Sequence, residues 1–472
     1  MALRGWSGLL AAGVLALAAP AAGAPWRAAL PGELVTTPDG GEGEIVRIDQ
    51  AVAQALLDLP PGASVPVADW PVAPGTRQEV ELARYEVYAP DARIVKIEGG
   101  RAVELPRSRL VFFQGQSLDD PGTRLVVSID PETRLLSGMA MTAEGPQELR
   151  AAAAGGYLVS APSAPQEKSG EPAWTCGQQQ DPVTGGALES LLAPTKTGAA
   201  AGKAITSLHS ATIAVDTDNE LMSLKFGNNT AAATNYIANL IARMNVMYER
   251  DFLVRLAQGF TVLRVSTTAD PYNQSGTGAA DSAKLNEFSN YWAGGCGGTC
   301  NGVSRALAMM LSGKQSSSFS ASGIAWLDSL CSGSTGYSFT QVFKFAQDTS
   351  ANDAYIVGHE LGHNFGSPHT HCYSPPIDTC FRGEACYTGS TSCPAPTTIN
   401  GVTNVTGTVM SYCHLSSCGA QEVFHPRTVE LVAPKIQSRV GLCIQPLGPP
   451  SGIFSNGFES GGIPGLWSGK TP

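Results

Sequence analysis

The sequence predicts an α/β domain preceded by a mostly β module, and three observations predict it. From residue 25 to about 160, short runs rich in β-branched and aromatic residues alternate with turn signals. From Ala211 to Leu330, strand-like runs alternate with segments of helical periodicity. Ten of the eleven cysteines then fall between Cys296 and Cys443. The first pattern is that of an antiparallel β module and the second that of βα units. The third is an even set that reads as a disulfide framework of up to five bridges, with connectivity open.

Composition bounds the function. The 472 residues are 43% hydrophobic and carry a formal net charge of −10. A chain of this kind buries a sizeable core, repels nucleic acid and has no electrostatic reason to sit on an anionic membrane. Mean hydropathy near zero excludes a polytopic membrane protein. Residues 1–24 combine Arg4, an apolar run from Leu9 to Ala19 and the small residues Ala21 to Ala24. That layout predicts a secretory signal peptide, too short to span a bilayer, and the cysteine count agrees with export to an oxidising compartment.

The β module, 25–160, contains Arg84 to Tyr88, Arg109 to Phe113 and Arg124 to Ile129, separated by Ala89-Pro90-Asp91 and Asp119-Asp120-Pro121-Gly122. Residues 161–204 turn rich in Ala, Pro, Gly and Ser and read as an exposed linker, in which Cys176 stands far from the other cysteines. Residues 205–446 form the α/β domain. Its expected strands are at Ala211 to Asp216, Phe260 to Val265, Ser304 to Leu311 and Gly323 to Leu330, and its expected helices at Thr230 to Phe252 and Ala280 to Trp292. From Cys372 to Val409 the chain is loop-like and has too little apolar content to hold itself without cross-links. Residues 447–472 are a Gly- and Pro-rich tail.

Four of the seven histidines lie between positions 359 and 371, in His359-Glu360-Leu361-Gly362-His363-Asn364-Phe365-Gly366-Ser367-Pro368-His369. On a helix, His359 and His363 stand one turn apart on one face and can aim at one ion. Glu360 is placed to take a proton from bound water rather than to bind metal. Gly366 can adopt positive φ and end the helix, so that His369 returns as a third ligand. Three imidazoles leave a fourth position for water, the mark of a catalytic Zn²⁺ site rather than a closed structural one.

These residues resemble the metzincin zinc endopeptidases, most closely the reprolysin (adamalysin) group and its secreted bacterial relatives. Gly407-Thr408-Val409-Met410-Ser411-Tyr412 is similar to the family's methionine turn beneath the zinc. The resemblance spans about 205–446. It implies a twisted, mostly parallel sheet above an active-site helix, and an edge strand at Gly323 to Asp328 that pairs with an extended substrate. Two departures stand out: Thr370 follows the third histidine where reprolysins carry Asp, and Tyr412 is placed as in astacins and serralysins. Tyr412 is accordingly either a zinc and oxyanion ligand or a packing residue of the turn. Cys443-Ile444-Gln445 lacks the asparagine of the reprolysin calcium site, and no calcium is expected.

Cys176, in Trp174-Thr175-Cys176-Gly177, is similar in logic to the propeptide cysteine switch of matrixins and reprolysins. It is a latency ligand for the zinc, a partner of another cysteine, or an idle thiol. The sequence thus predicts a secreted zinc endopeptidase acting on protein or peptide substrates through a water activated by Glu360, and made as a zymogen. The alternative is a catalytically retired metzincin scaffold serving as a secreted binding or adhesion protein. Substrate specificity and oligomeric state are not legible.

Overall fold

The computed structural model describes residues 26–38, 40–153, 155–162, 174–179, 206–272, 278–314, 321–342 and 350–447. The expected signal peptide, most of the linker and nearly all of the tail lie outside the described residues.

The N-terminal module comprises β1 (Trp26–Arg27), β2 (Ala29–Thr36), β3 (Glu42–Ile48), β4 (Ser64–Ala73), β5 (Thr76–Tyr85), β6 (Ile94–Glu98), β7 (Arg101–Leu105), β8 (Val111–Ser117), β9 (Arg124–Ile129), β10 (Leu136–Thr142), β11 (Gly145–Ala151) and β12 (Tyr157–Ser160), with one helix, α1 (Gln50–Asp58). Ten of these strands form one sheet in the order β1-β4-β5-β8-β9-β10-β11-β12-β3-β2. The strands at its two ends are separated only by Ala28, so the sheet rolls round a core of its own that includes Trp70, Leu82, Phe113, Leu125, Val127 and Leu149. The hairpin β6–β7 departs from this sheet and joins the sheet of the second domain.

The second domain contains β14 (His209–Thr217), β15 (Val254–Leu263), β16 (Leu307–Ser312), β17 (Ala321–Trp326), β18 (Tyr337–Gln341), the small hairpin β19 (Thr397–Ile399) and β20 (Val402–Val405), and β21 (Ile444–Pro446). A further strand, β13 (Trp174–Gln179), comes from the segment read as an exposed linker. The sheet runs β13-β17-β18-β16-β14-β15-β6-β7, with β21 beside β14. Strands β14, β15, β16 and β18 are mutually parallel, and β17 is antiparallel to β18. The sheet is therefore mostly parallel.

Both faces of this sheet are covered, which explains its near-continuous apolar runs. Ile213, Val215, Leu307 and Met309 face one core; Ala214, Ala308 and Met310, their alternates, face the other. The helices are α2 (Asn219–Phe226), α3 (Thr230–Phe252), α4 (Ser282–Ala293), α5 (Ser350–Asn364) and α6 (Pro426–Arg439). On the first face lie α3 and α5; α4 covers the second. Helix α3 begins where the Asn229 side chain accepts from Ala232 N, and it ends at Leu253 with φ 54°. It packs closely on α5, because a Cβ on Gly358 would stand 2.5 Å from Met247 Cε, and Tyr248 Oη donates to Gly358 O at 2.7 Å.

All ten clustered cysteines pair, as Cys296–Cys300, Cys331–Cys443, Cys372–Cys386, Cys380–Cys413 and Cys393–Cys418. Three of these bridges lie within residues 372–418 and hold the loop that lacks an apolar core of its own. Cys176 joins no disulfide and is buried.

Candidate metal centre

Helix α5 carries His359, Glu360 and His363, all fully buried. Gly366, at φ +107°, turns the chain off the helix end. Its N–H donates to His363 O at 2.8 Å while Ser367 N donates to Gly362 O at 3.0 Å. A side chain here would be strained by the positive φ and would also have to displace the Lys435 ammonium. The turn brings His369 back to the helix, where its Nε2 lies 3.2 Å from His363 Nε2.

Each imidazole is fixed from behind. His359 Nδ1 is 2.5 Å from Val409 O and His363 Nδ1 is 2.7 Å from Ser367 O. A carbonyl only accepts, so these nitrogens carry the protons and each Nε2 presents a lone pair inward. His369 Nδ1 is 2.8 Å from Glu384 Oε1. Burial lowers the pKa of all three rings and neighbouring imidazoles add to it, while Glu384 opposes the shift at His369; His363 falls to about 3. The rings are neutral at ordinary pH, the form in which imidazole binds metal.

The expected methionine turn lies under α5. A Cβ on Gly362 would stand 2.5 Å from Met410 Sδ, and Met410 O accepts from Thr370 N at 3.0 Å. The turn thus holds both the helix and the segment that returns His369. Tyr412 places its ring centroid 4.4 Å from that of His369, and its hydroxyl donates to Cys176 O.

Glu360 points toward the edge strand, where a Cβ on Gly323 would collide with its carboxylate at 2.0 Å. Burial raises its carboxyl well above the usual range, a hydrogen bond with the Cys176 thiol acting in the opposite sense.

The expected edge strand is β17, and in this chain it is already paired. Strand β13 runs parallel to it in the register Cys176↔Gly323. Cys176 Sγ reaches 3.3 Å from His363 Nε2. One ligand atom each from Cys176, His359, His363 and His369 all lie within 4.8 Å of one another. Three neutral nitrogens and one sulfur converging at that spacing fit a divalent transition metal such as zinc.

Sequence reasoning missed Glu384. It also holds His371, with Oε2 3.2 Å from Nε2, and the two histidines depress its pKa against the effect of its own burial. The signal was present: Asp378 and Glu384 are the only carboxylates between Cys372 and Met410. The other one, Asp378, hydrogen-bonds Thr370. His371 is buried beside the centre, whereas His414 is only partly buried.

Residues 208–421 match the family model Reprolysin_5, described as metallo-peptidase family M12. No curated protein matches the chain. Similar solved structures include metalloproteinase-II from Bacteroides fragilis, 10% identical over 67% of this chain and 85% of that one, with a TM-score of 0.36. A structure of a chaperone–substrate complex is 11% identical over 63% of this chain and 38% of that one, with a TM-score of 0.28. The family match over the segment that holds the three histidines identifies residues 208–421 as a reprolysin-like metzincin domain of metallo-peptidase family M12.

Proposed function

We propose that the chain is an exported zinc endopeptidase held latent by its own N-terminal part. Membership of family M12 implies a metal cofactor and protein substrates. The convergence of three neutral imidazoles on the sulfur of Cys176 is the observation that carries the finer reading.

His359, His363 and His369 would hold the zinc, which would supply Lewis acidity toward a peptide carbonyl and toward water. The chain does the rest. Glu360 takes the proton of the attacking water and delivers it to the departing nitrogen. Its burial favours the protonated form that must persist between these transfers. Tyr412 directs its hydroxyl to the oxygen that gains charge, once Cys176 O no longer occupies it. Substrate adds to the edge of β17 by main-chain hydrogen bonds when β13 has left.

Latency follows from the same contacts. Cys176 would hold the metal's fourth position in place of water, its sulfur lying 3.3 Å from His363 Nε2, and β13 takes the edge that substrate would use. Export is supported by the apolar leader pattern of residues 1–24 and by five disulfides, which require an oxidising compartment. A retired binding scaffold has no use for a carboxylate in the position of Glu360.

The test is cleavage of denatured casein by the proteolytically activated protein and by its Glu360→Ala form, at equal zinc content. Cleavage by the first alone supports the reading. Equal activity of the two removes Glu360 from the mechanism, and inactivity of both favours the binding scaffold.

A further inference from the structure

We infer that residues 26–162 are a lasting partner of the peptidase domain: the module stays bound after the chain is cut, and only the segment carrying β13 departs. The role of β13 in this statement rests on the latency reading above; the retention of the module does not.

The first observation is that the module's sheet buries apolar residues on both of its faces where it meets α3. Along β8, β9 and β10, Phe113, Leu125, Val127 and Ala140 fill the module's own core. Their neighbours Phe112, Val126, Met139 and Met141 belong instead to the core shared with α3 and α5. The same face also carries Gln114 and Ser128, which bond Glu249 and Asn239 of α3 at 2.5 and 2.9 Å, so its apolar and polar residues alike engage the peptidase domain.

The second observation is main-chain pairing. Strand β6 extends the peptidase sheet in parallel with β15, in the register Thr261↔Ile94, Val262↔Val95 and Leu263↔Lys96. The approach is continued by Gln258 N to Val87 O, Ala89 N to Gln258 O and Thr261 N to Arg93 O, each 2.8 Å. Val95 and Ile97 are buried against Val262 and the aromatic residues on the α4 side. Loss of the module would strip β15 of this partner and expose an apolar edge.

Third, charge is buried across the interface. Glu148 of β11 meets Arg243 of α3 at 3.2 Å, with both side chains 4% exposed. Gln114 of β8 donates to Glu249 of α3 at 2.5 Å and accepts from Arg255 of β15 at 2.7 Å. Separation must rehydrate all of these groups together, whereas removing one partner alone strands a buried charge. Strand β13, by contrast, ends its sheet and among the described residues pairs by main chain with β17 alone.

The experiment uses the full chain with recognition sequences for a site-specific protease placed in 163–173 and in 180–205. After both cuts, fragments are separated by size exclusion at nanomolar concentration and identified by intact mass, in Glu360→Ala and wild-type backgrounds. The expected result is co-elution of the N-terminal and peptidase fragments in equal amounts, with the β13 peptide lost from the complex. Separation of the two large fragments, whether the peptidase remains soluble or aggregates, overturns the inference. The wild-type background reads the latency claim independently. Co-elution without casein cleavage upholds the lasting partnership and contradicts the function proposed, while cleavage by a separated peptidase does the reverse.

Discussion

Gly323 in the edge strand and Glu360 in the histidine-bearing helix approach so closely that a Cβ on the glycine would stand 2.0 Å from Glu360 Oε1. Strand β17 therefore also sets where the carboxylate lies. Gly323→Ala must push Glu360 aside. A displacement near 1 Å at a reacting group costs roughly a hundredfold in rate, so kcat should fall by about that factor with zinc content unchanged. An unaltered kcat in the activated variant would show that Glu360 does not act from this position.

Glu384 should govern how firmly the metal is held. Its carboxylate fixes His369 through Nδ1, from a loop whose own shape depends on Cys372–Cys386. Glu384→Ala should weaken zinc binding by about 10- to 100-fold in chelator competition, the usual scale for loss of a group that orients a ligand. Glu384→Gln keeps an acceptor and should fall between that variant and the wild type. Equal affinities of all three forms would reduce Glu384 to a loop contact.

Stability should vary with pH through Glu422. Burial pushes this carboxyl up to about 7, with Arg243 and Arg250 offsetting part of the effect. Its folded value stands above its unfolded one, so its contribution is fully present below the unfolded value and is lost as pH rises through about 7. Thermal melts should show Glu422→Gln gaining on the wild type between about pH 5 and pH 8, because the amide does not ionise. A constant difference across that range would contradict the assignment.

Much of this architecture was legible in local pattern. Helix α3 occupies the span its periodicity predicts, Thr230 to Phe252, because an amphipathic stripe is a short-range signal. The spacing of His359, His363 and His369, with Gly366 between, anticipated their convergence because helix pitch and one positive φ determine it. Features made by distant parts of the chain were not legible. Glu384 reaches His369 by a loop path set by disulfides, whose pairing spacing does not encode. The linker composition concealed β13, whose partner lies more than 140 residues away. The continuous apolar run Leu125-Val126-Val127 was read simply as a strand, although its lack of alternation was the available sign that both faces are covered.

The most direct test of latency is the proteolytic activity of the uncut chain carrying Cys176→Ala, measured beside the uncut wild type and the double variant Cys176→Ala, Glu360→Ala, with zinc content matched. Every 1.4 kcal/mol of lost ligand bonding is a factor of ten, so the single variant should exceed the wild type at least about tenfold. Its KM should remain high, because β13 still competes for the edge of β17, and the double variant should be inactive. A Cys176→Ala chain as silent as the wild type, when the cut enzyme is active, would contradict the claim that this sulfur holds the enzyme latent.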